Sequence, residues 1–360
     1  MTLGKPMSAK VREMNLELNR METIFQKERL VSAPLMVQLP TGTRCNLRCI
    51  FCTDRTPAMA GAYRDLGLEE FIPMAHGLET AATVQLWGWG EPLLNPEYGA
   101  IFDYVTANYP GIQINVSTNG TLFDAAWHRR LLAYANFSLN VSVNAATRST
   151  YRLVTGTDLF GRMAANLRGF GRRLRESAGG CSQYSVSFVV VRENLHEIPA
   201  FVDLAAEFGA GHVQFMDMMA INPSFGVISA GSEGGRVREL FAEALQRAAM
   251  AGISIGTFLP YGEHDYLAMD KYGGGAVAAA EAEEPVALKP CYEPWRNMLV
   301  SSDGTASLCC RSGLVTGNLR NDGLEGVWNG DIYRFVRKTV NSADPPDVCR
   351  NCPVKLGISS

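Results

Sequence analysis

A chain of 360 residues with 47% apolar and 19% charged side chains can bury a substantial core, in one large domain or two unequal ones. Its 33 Lys and Arg against 36 Asp and Glu leave a net charge of -3, so overall charge gives no reason to bind nucleic acid or an anionic membrane. No apolar run approaches the roughly 20 residues that span a bilayer, and the N-terminus MTLGKPMSAKVREMN lacks a secretory stretch, which makes the cytoplasm the expected location.

In chain order, Val11, Met14, Leu18, Met21 and Phe25 recur at three- and four-residue steps and predict an amphipathic helix in an N-terminal extension over 1–34, with that stripe facing inward. From residue 35, short β-rich runs alternate with helical stretches: LMVQLPT, TVQLWG, IQINVST, FSLNVSV, YSVSFVVV, HVQFMDM and ISIGTFL. Such alternation predicts parallel strands with crossover helices, and six or seven units fall short of a closed eight-unit barrel. The expected fold is therefore α/β, a partial barrel over 35–270. The Gly-, Ala- and Glu-rich stretch over 271–290 reads as a linker. Residues 291–360 then form a segment small enough that a metal staple would help it fold.

Nine cysteines in a long chain of this kind do not read as a disulfide framework, which leaves metal ligation as the leading explanation. Three of them, Cys45, Cys49 and Cys52, lie in TRCNLRCIFC just after the first predicted strand. One short loop with this spacing can wrap three thiolates around three irons of a cubane and leave the fourth iron open. A zinc site is the competing reading, but structural zinc wants four ligands and this loop holds no fourth Cys or His. The motif, with Phe51 before its last cysteine, resembles the signature of the radical S-adenosylmethionine (SAM) superfamily, in which SAM chelates the open iron of a 4Fe-4S cluster. That resemblance implies reductive cleavage of SAM and an external electron donor such as flavodoxin or ferredoxin.

After the second strand, LWGWGEPLLNPE resembles the superfamily's Gly-Gly-Glu-Pro segment, with Trp89 between the glycines. By that match Gly88, Gly90 and Glu91 hold the amino group of SAM; a plain loop is the alternative. VSTNGTL and LNVSVNAAT close the third and fourth strands, so Ser117, Asn119, Ser142 and Asn144 stand at the sheet edge where barrel enzymes build active sites. The resemblance implies SAM contacts there. Arg152 offers a cation on the next helix, where relatives carry an Arg at the position of Thr155, or is a solvated helix residue.

Cys291 is followed by a stretch whose Asp303-Gly304 lies between apolar runs and predicts a hairpin leading to Cys309; Cys349 and Cys352 form a later Cys-x-x-Cys pair. A four-cysteine zinc ribbon and an iron-sulfur cubane both fit this spacing. The segment resembles the SPASM and twitch domains of radical SAM enzymes, which implies an auxiliary 4Fe-4S cluster ligated by Cys291, Cys309, Cys349 and Cys352. The shorter twitch form, with one cluster, is the expectation. Cys310 reads as a spare thiol, an alternative ligand or a hydrogen-atom donor, and Cys181 has no assigned role.

Three functions follow as expectations. The first is a small-molecule oxidoreductase that dehydrogenates a sugar or cyclitol with the auxiliary cluster as electron acceptor. The second is maturation of a ribosomal peptide by crosslinking, epimerisation or decarboxylation, although residues 1–34 look short and helical for a leader-binding domain. The third is a metal-stapled binding protein without catalysis. No catalytic acid, base or hydrogen donor is identifiable from residue pattern alone.

Overall fold

The computed structural model describes residues 5–52, 64–177, 183–217, 230–258, 288–310, 312–350, 352 and 355. Most of the expected linker, together with Cys181, lies outside them. The seven expected strands are all present: β1 (Met36–Gln38), β2 (Thr83–Gln85), β3 (Gln113–Thr118), β4 (Phe137–Ser142), β5 (Gln183–Val190), β6 (His212–Asp217) and β7 (Ser254–Phe258). They pair in parallel and in chain order. Between them run α2 (Leu68–Met74), α3 (Tyr98–Asn108), α4 (Ala125–Tyr134), α5 (Arg148–Thr155), α6 (Phe160–Glu176), α7 (Ile198–Phe208) and α8 (Ala230–Ala251).

Period-two alternation explains the packing. Val84, Ile114, Leu139, Val141, Val186 and Val213 are fully buried on one face of their strands. Their neighbours Gln85, Asn115, Ser117, Asn140, Ser142 and Ser185 are half-buried on the other. In the register, Gln85 faces Asn115, Ser117 faces Asn140 and Ser142 faces Ser187, so the second face carries a band of amides and hydroxyls. Local signals set the helix ends. Asp124 caps α4 by accepting from the backbone of Ala126 and Trp127, and Gly156 and Gly209 end α5 and α7 in left-handed conformation.

The C-terminal segment extends this same sheet. Helix α9 (Glu293–Arg296) leads into β8 (Asn297–Val300), which pairs in parallel with β1. The expected hairpin follows: β9 (Thr305–Ser307) returns antiparallel to β8 across Gly304, whose φ of +88° suits glycine, and β10 (Val315–Asn318) completes the edge. Helices α10 (Leu319–Trp328), α11 (Asp331–Thr339) and α12 (Asp347–Arg350) close the chain. Among the described residues no helix is long and apolar enough to cross a membrane.

The N-terminal helix α1 (Lys5–Ile24) departs from expectation. Its apolar stripe faces outward, with Met14 63%, Met21 49% and Phe25 67% exposed, while Arg12, Asn15, Asn19 and Glu22 are buried. The surface it covers is backbone: Arg12 donates to the carbonyls of Ala81 and Pro110, and Asn15 bonds both the N–H and the carbonyl of Ala33. Asn19 donates to the carbonyl of Trp295 at 2.6 Å, and the Glu22 carboxylate accepts from the N–H groups of Val31 and Ser32. Backbone groups at strand ends and turns need polar partners, and an apolar stripe supplies none. Replacing Asn19 by Ala is therefore expected to cost about 1–3 kcal/mol, because it orphans buried groups. Met14→Gln is expected to stay within about 0.5 kcal/mol in the same denaturant titrations, and the reverse order would show that the inward face is misassigned.

Candidate metal and cofactor site

The loop leaving β1 carries Cys45, exposed, and Cys49 and Cys52, half-buried. Three neighbouring segments hold it. The Glu91 N–H donates to the carbonyl of Arg44 at 2.8 Å; the N–H groups of Arg48 and Ile50 donate to the carbonyls of Thr155 and Val154 at the end of α5. The Asn46 side chain donates to Thr121 Oγ1 and accepts from Asn119 Nδ2, both at 2.8 Å. The glycines before Glu91 make this approach possible. A Cβ on Gly88 would meet Pro40 at 2.4 Å, and one on Gly90, whose φ is +92°, would meet Thr43 and Arg44 backbone at 2.6 Å. The close approach read from these glycines is made, among protein atoms, to the cysteine loop itself.

Glu91 is 2% exposed. Its oxygens accept from Thr118 Oγ1 at 2.6 Å, the Asn119 N–H at 2.6 Å and the Leu93 N–H at 3.1 Å. Burial pushes its carboxyl up to about 7, against the downward pull of those three donors. A carboxylate has about four lone-pair positions, so most of its capacity is committed to the chain.

The other expected residues divide into two groups. Asn119 lies against the loop, with Nδ2 4.0 Å from Cys45 Sγ, and Phe51 packs half-buried against the core. Ser117 accepts from Asn140 at 3.3 Å on the half-buried face. Asn144, by contrast, is 1% exposed with φ +66°, and brackets neighbouring strands by donating to Ser142 Oγ and accepting from the Val189 N–H. Arg152 is exposed on α5. Thr155, which departs from the relatives' pattern, is fully buried and supplies the carbonyl that holds Arg48.

Residue pattern alone missed Asn46, Thr118 and Thr121, although each lies inside a quoted motif. It also missed Tyr98 and Tyr151, whose hydroxyls are buried without a hydrogen-bond partner. Burial raises the Tyr151 phenol, and the charges that raise it further are those of Cys49, Cys45 and Glu91. Three thiols carried on one short loop are the donor set that such a cluster uses, so the residues fit the group.

The second set of thiols is also brought together. Asn341 clamps Cys291, accepting from its N–H at 2.8 Å and donating to its carbonyl at 3.0 Å. Cys309 follows β9, Cys349 is buried in α12, and the Cys352 N–H donates to the Cys349 carbonyl. Burial pushes the Cys291 thiol up to about 11, with further rises from Glu293, Cys309 and Cys349; Cys349 is raised by burial, then by Cys309 and Cys352. Cys310 is exposed. Among the described residues no three His, Cys, Asp or Glu close around one metal ion. Four thiols carried on three segments are a donor set that an iron-sulfur cubane can use.

The fold and these two thiol sets define a radical SAM enzyme. The radical SAM superfamily matches residues 39–205, an iron-sulfur cluster-binding SPASM domain matches 291–353, and the chain belongs to that superfamily, with SAM and 4Fe-4S clusters as its cofactors. Among curated relatives, the mycofactocin maturase MftC of Mycobacterium tuberculosis is 26% identical over 52% of this chain, a match spanning 46%, about half, of that protein's length. MftC of Mycobacterium ulcerans is 26% identical over 91% of this chain and 83% of its own. The PqqA peptide cyclase of Xanthomonas campestris is 25% identical over 90% and 80%. The crystal structure of Streptococcus suis SuiB bound to precursor peptide SuiA superposes with a TM-score of 0.63 at 14% identity, covering 93% of this chain and 80% of that one, a likeness of fold.

Anaerobically reconstituted protein is expected to hold about eight irons, and replacing Cys45, Cys49 and Cys52 together by Ala to remove about half of them and all cleavage of SAM. Iron analysis checks the first and release of 5′-deoxyadenosine the second; stoichiometric zinc at the C-terminal thiols of iron-supplied protein contradicts the assignment. Glu91→Gln turns an amide donor toward groups that are themselves donors. It is expected to weaken SAM binding about tenfold, roughly 1.4 kcal/mol, with iron content retained. Unchanged affinity in equilibrium binding would place the amine contact elsewhere.

Proposed function

We propose that this chain is a cytoplasmic peptide maturase that modifies a ribosomally made precursor. The observation that carries the reading is the alignment of two peptide-modifying relatives, MftC and the PqqA cyclase, across nine-tenths of this chain. The half-buried face of the sheet supports it. Asn115, Ser117, Asn140, Ser142 and Ser185 offer uncharged donors and acceptors, which suit the amides of a peptide better than a phosphate or carboxylate. Dehydrogenation of a sugar or cyclitol, the first expectation from the sequence, has no comparable support in these relatives.

In this reading Cys45, Cys49 and Cys52 ligate the first cluster, which when bound supplies the electron that cleaves SAM to a hydrogen-abstracting 5′-deoxyadenosyl radical. Glu91 fixes the loop after β2 and the end of β3 against the cysteine loop, so that Gly88, Gly90 and Asn119 border the SAM position. Cys291, Cys309, Cys349 and Cys352 ligate one auxiliary cluster, and flavodoxin or ferredoxin delivers electrons. The test is anaerobic incubation with synthetic peptides encoded beside the gene, reading peptide mass and 5′-deoxyadenosine together. A covalently altered peptide formed with stoichiometric 5′-deoxyadenosine is the expected result; a mass change confined to reactions in deuterated buffer, and lost in Cys310→Ala, identifies epimerisation. Unmodified peptides alongside a sugar or cyclitol that becomes two mass units lighter would overturn the reading.

A further inference from the structure

Lys355 is buried, at 2% exposure. Its ammonium donates to the carbonyl of Val340 and lies 3.4 Å from Asn341 Oδ1. Its own carbonyl accepts from the Lys289 N–H at 2.7 Å, two residues before Cys291. Among the described residues no carboxylate is paired with it, unlike the exposed Lys338, which reaches Glu28. A buried ammonium without a counter-charge costs several kcal/mol by order of magnitude, and neutral carbonyl partners offset only part of that.

Among the described residues, thiols are candidates for a negative charge near the ammonium. The Asn341 oxygen that lies near the ammonium also accepts from the Cys291 N–H, so a single side chain separates Lys355 from the backbone of that thiol. In sequence, Lys355 follows Cys352 by three residues, and the Cys352 N–H donates to the Cys349 carbonyl. The ammonium is thus held one side chain away from the segment that carries Cys291, by a residue just beyond the Cys349–Cys352 pair.

We propose that Lys355 is a positioning residue whose ammonium serves as built-in counter-charge for the auxiliary cluster and raises its reduction potential. The inference rests on Cys291, Cys309, Cys349 and Cys352 being that cluster's ligands. Four thiolates outweigh the positive charge of a cubane core, so the oxidised site is already anionic, and reduction adds one further negative charge. A fixed cation in a dry surrounding favours the reduced form, since net charge and exposure are what set such potentials. The device suits a cluster that takes up a single electron.

The experiment uses full-length protein in which Cys45, Cys49 and Cys52 are Ala, so that the remaining iron signal belongs to the auxiliary site. Redox titration followed by electron paramagnetic resonance then compares this parent with Lys355→Met and Lys355→Arg. Met is expected to disfavour reduction at least tenfold, a shift of about 59 mV to lower potential for a one-electron couple, and Arg to shift it far less. A Met variant with four irons and the parental potential overturns the inference while leaving the ligand assignment standing. A parent without four irons overturns the ligand assignment and the inference with it. Should Met lose its iron, retention in Arg with loss in Lys355→Gln supports the counter-charge, and loss in all three variants overturns it in favour of packing alone.

Discussion

The buried carboxylate of Glu91 is the constraint on which the first site depends. One side chain accepts from Thr118, Asn119 and Leu93, while its own N–H reaches the Arg44 carbonyl, so the ends of two strands and the cysteine loop meet at a single residue. Taking a carboxylate from water costs several kcal/mol, and burial accordingly pushes this one up to about 7. The cost is tolerated because all three donors are charge-assisted partners whose positions are set by secondary structure. The glycines on its N-terminal side complete the arrangement, since a single methyl group at residue 88 or 90 would collide with the loop.

A comparable economy joins the C-terminal segment to the barrel. Asn19 of α1 bonds the Trp295 carbonyl, the Trp295 indole donates to Lys27, and the Trp328 indole donates to Ser32. Arg337, 1% exposed, stacks on Trp328 and Tyr333 and donates to the carbonyls of Pro294 and Glu28. The N-terminal extension is therefore a clasp across the seam where β8 joins β1. Its polar groups face inward because what it clasps is backbone.

The chain's alternation of strand and helix was legible because each strand repeats with period two and each βα turn carries its own local signal, as the polar ends of VSTNGTL and LNVSVNAAT show. The cysteine spacings were legible for a related reason, in that short-range chemistry is written in short-range sequence. Three features were not. The orientation of α1 was misread because Met14, Leu18, Met21 and Phe25 form a clean apolar period, while the groups that decide its orientation, the carbonyls of Ala81, Pro110 and Trp295, are distant in sequence. The placement of β8 beside β1 depends on pairing across some 260 residues, a contact no local pattern encodes. The structural part of Asn144 was likewise invisible: it stands at a strand mouth, and its left-handed backbone and its amide bonds to Ser142 and Val189 make it a bracket between strands, which depends on a contact 45 residues away.

Strand direction also separates the two thiol sets. Cys45 lies beyond the C-terminal end of β1. Cys291 precedes β8, which runs parallel to β1, and β9 turns back so that Leu299 pairs with Ser307 and the chain reaches Cys309 toward the N-terminal end of β8. Neighbouring strands thus present their cysteines toward opposite ends, each set with its own bracing: Asn46 and Asn119 for the first, Asn341 and Lys355 for the second. Sites built this way exchange no ligands, so an auxiliary cluster here can act on the first only through electrons or through a substrate that spans both.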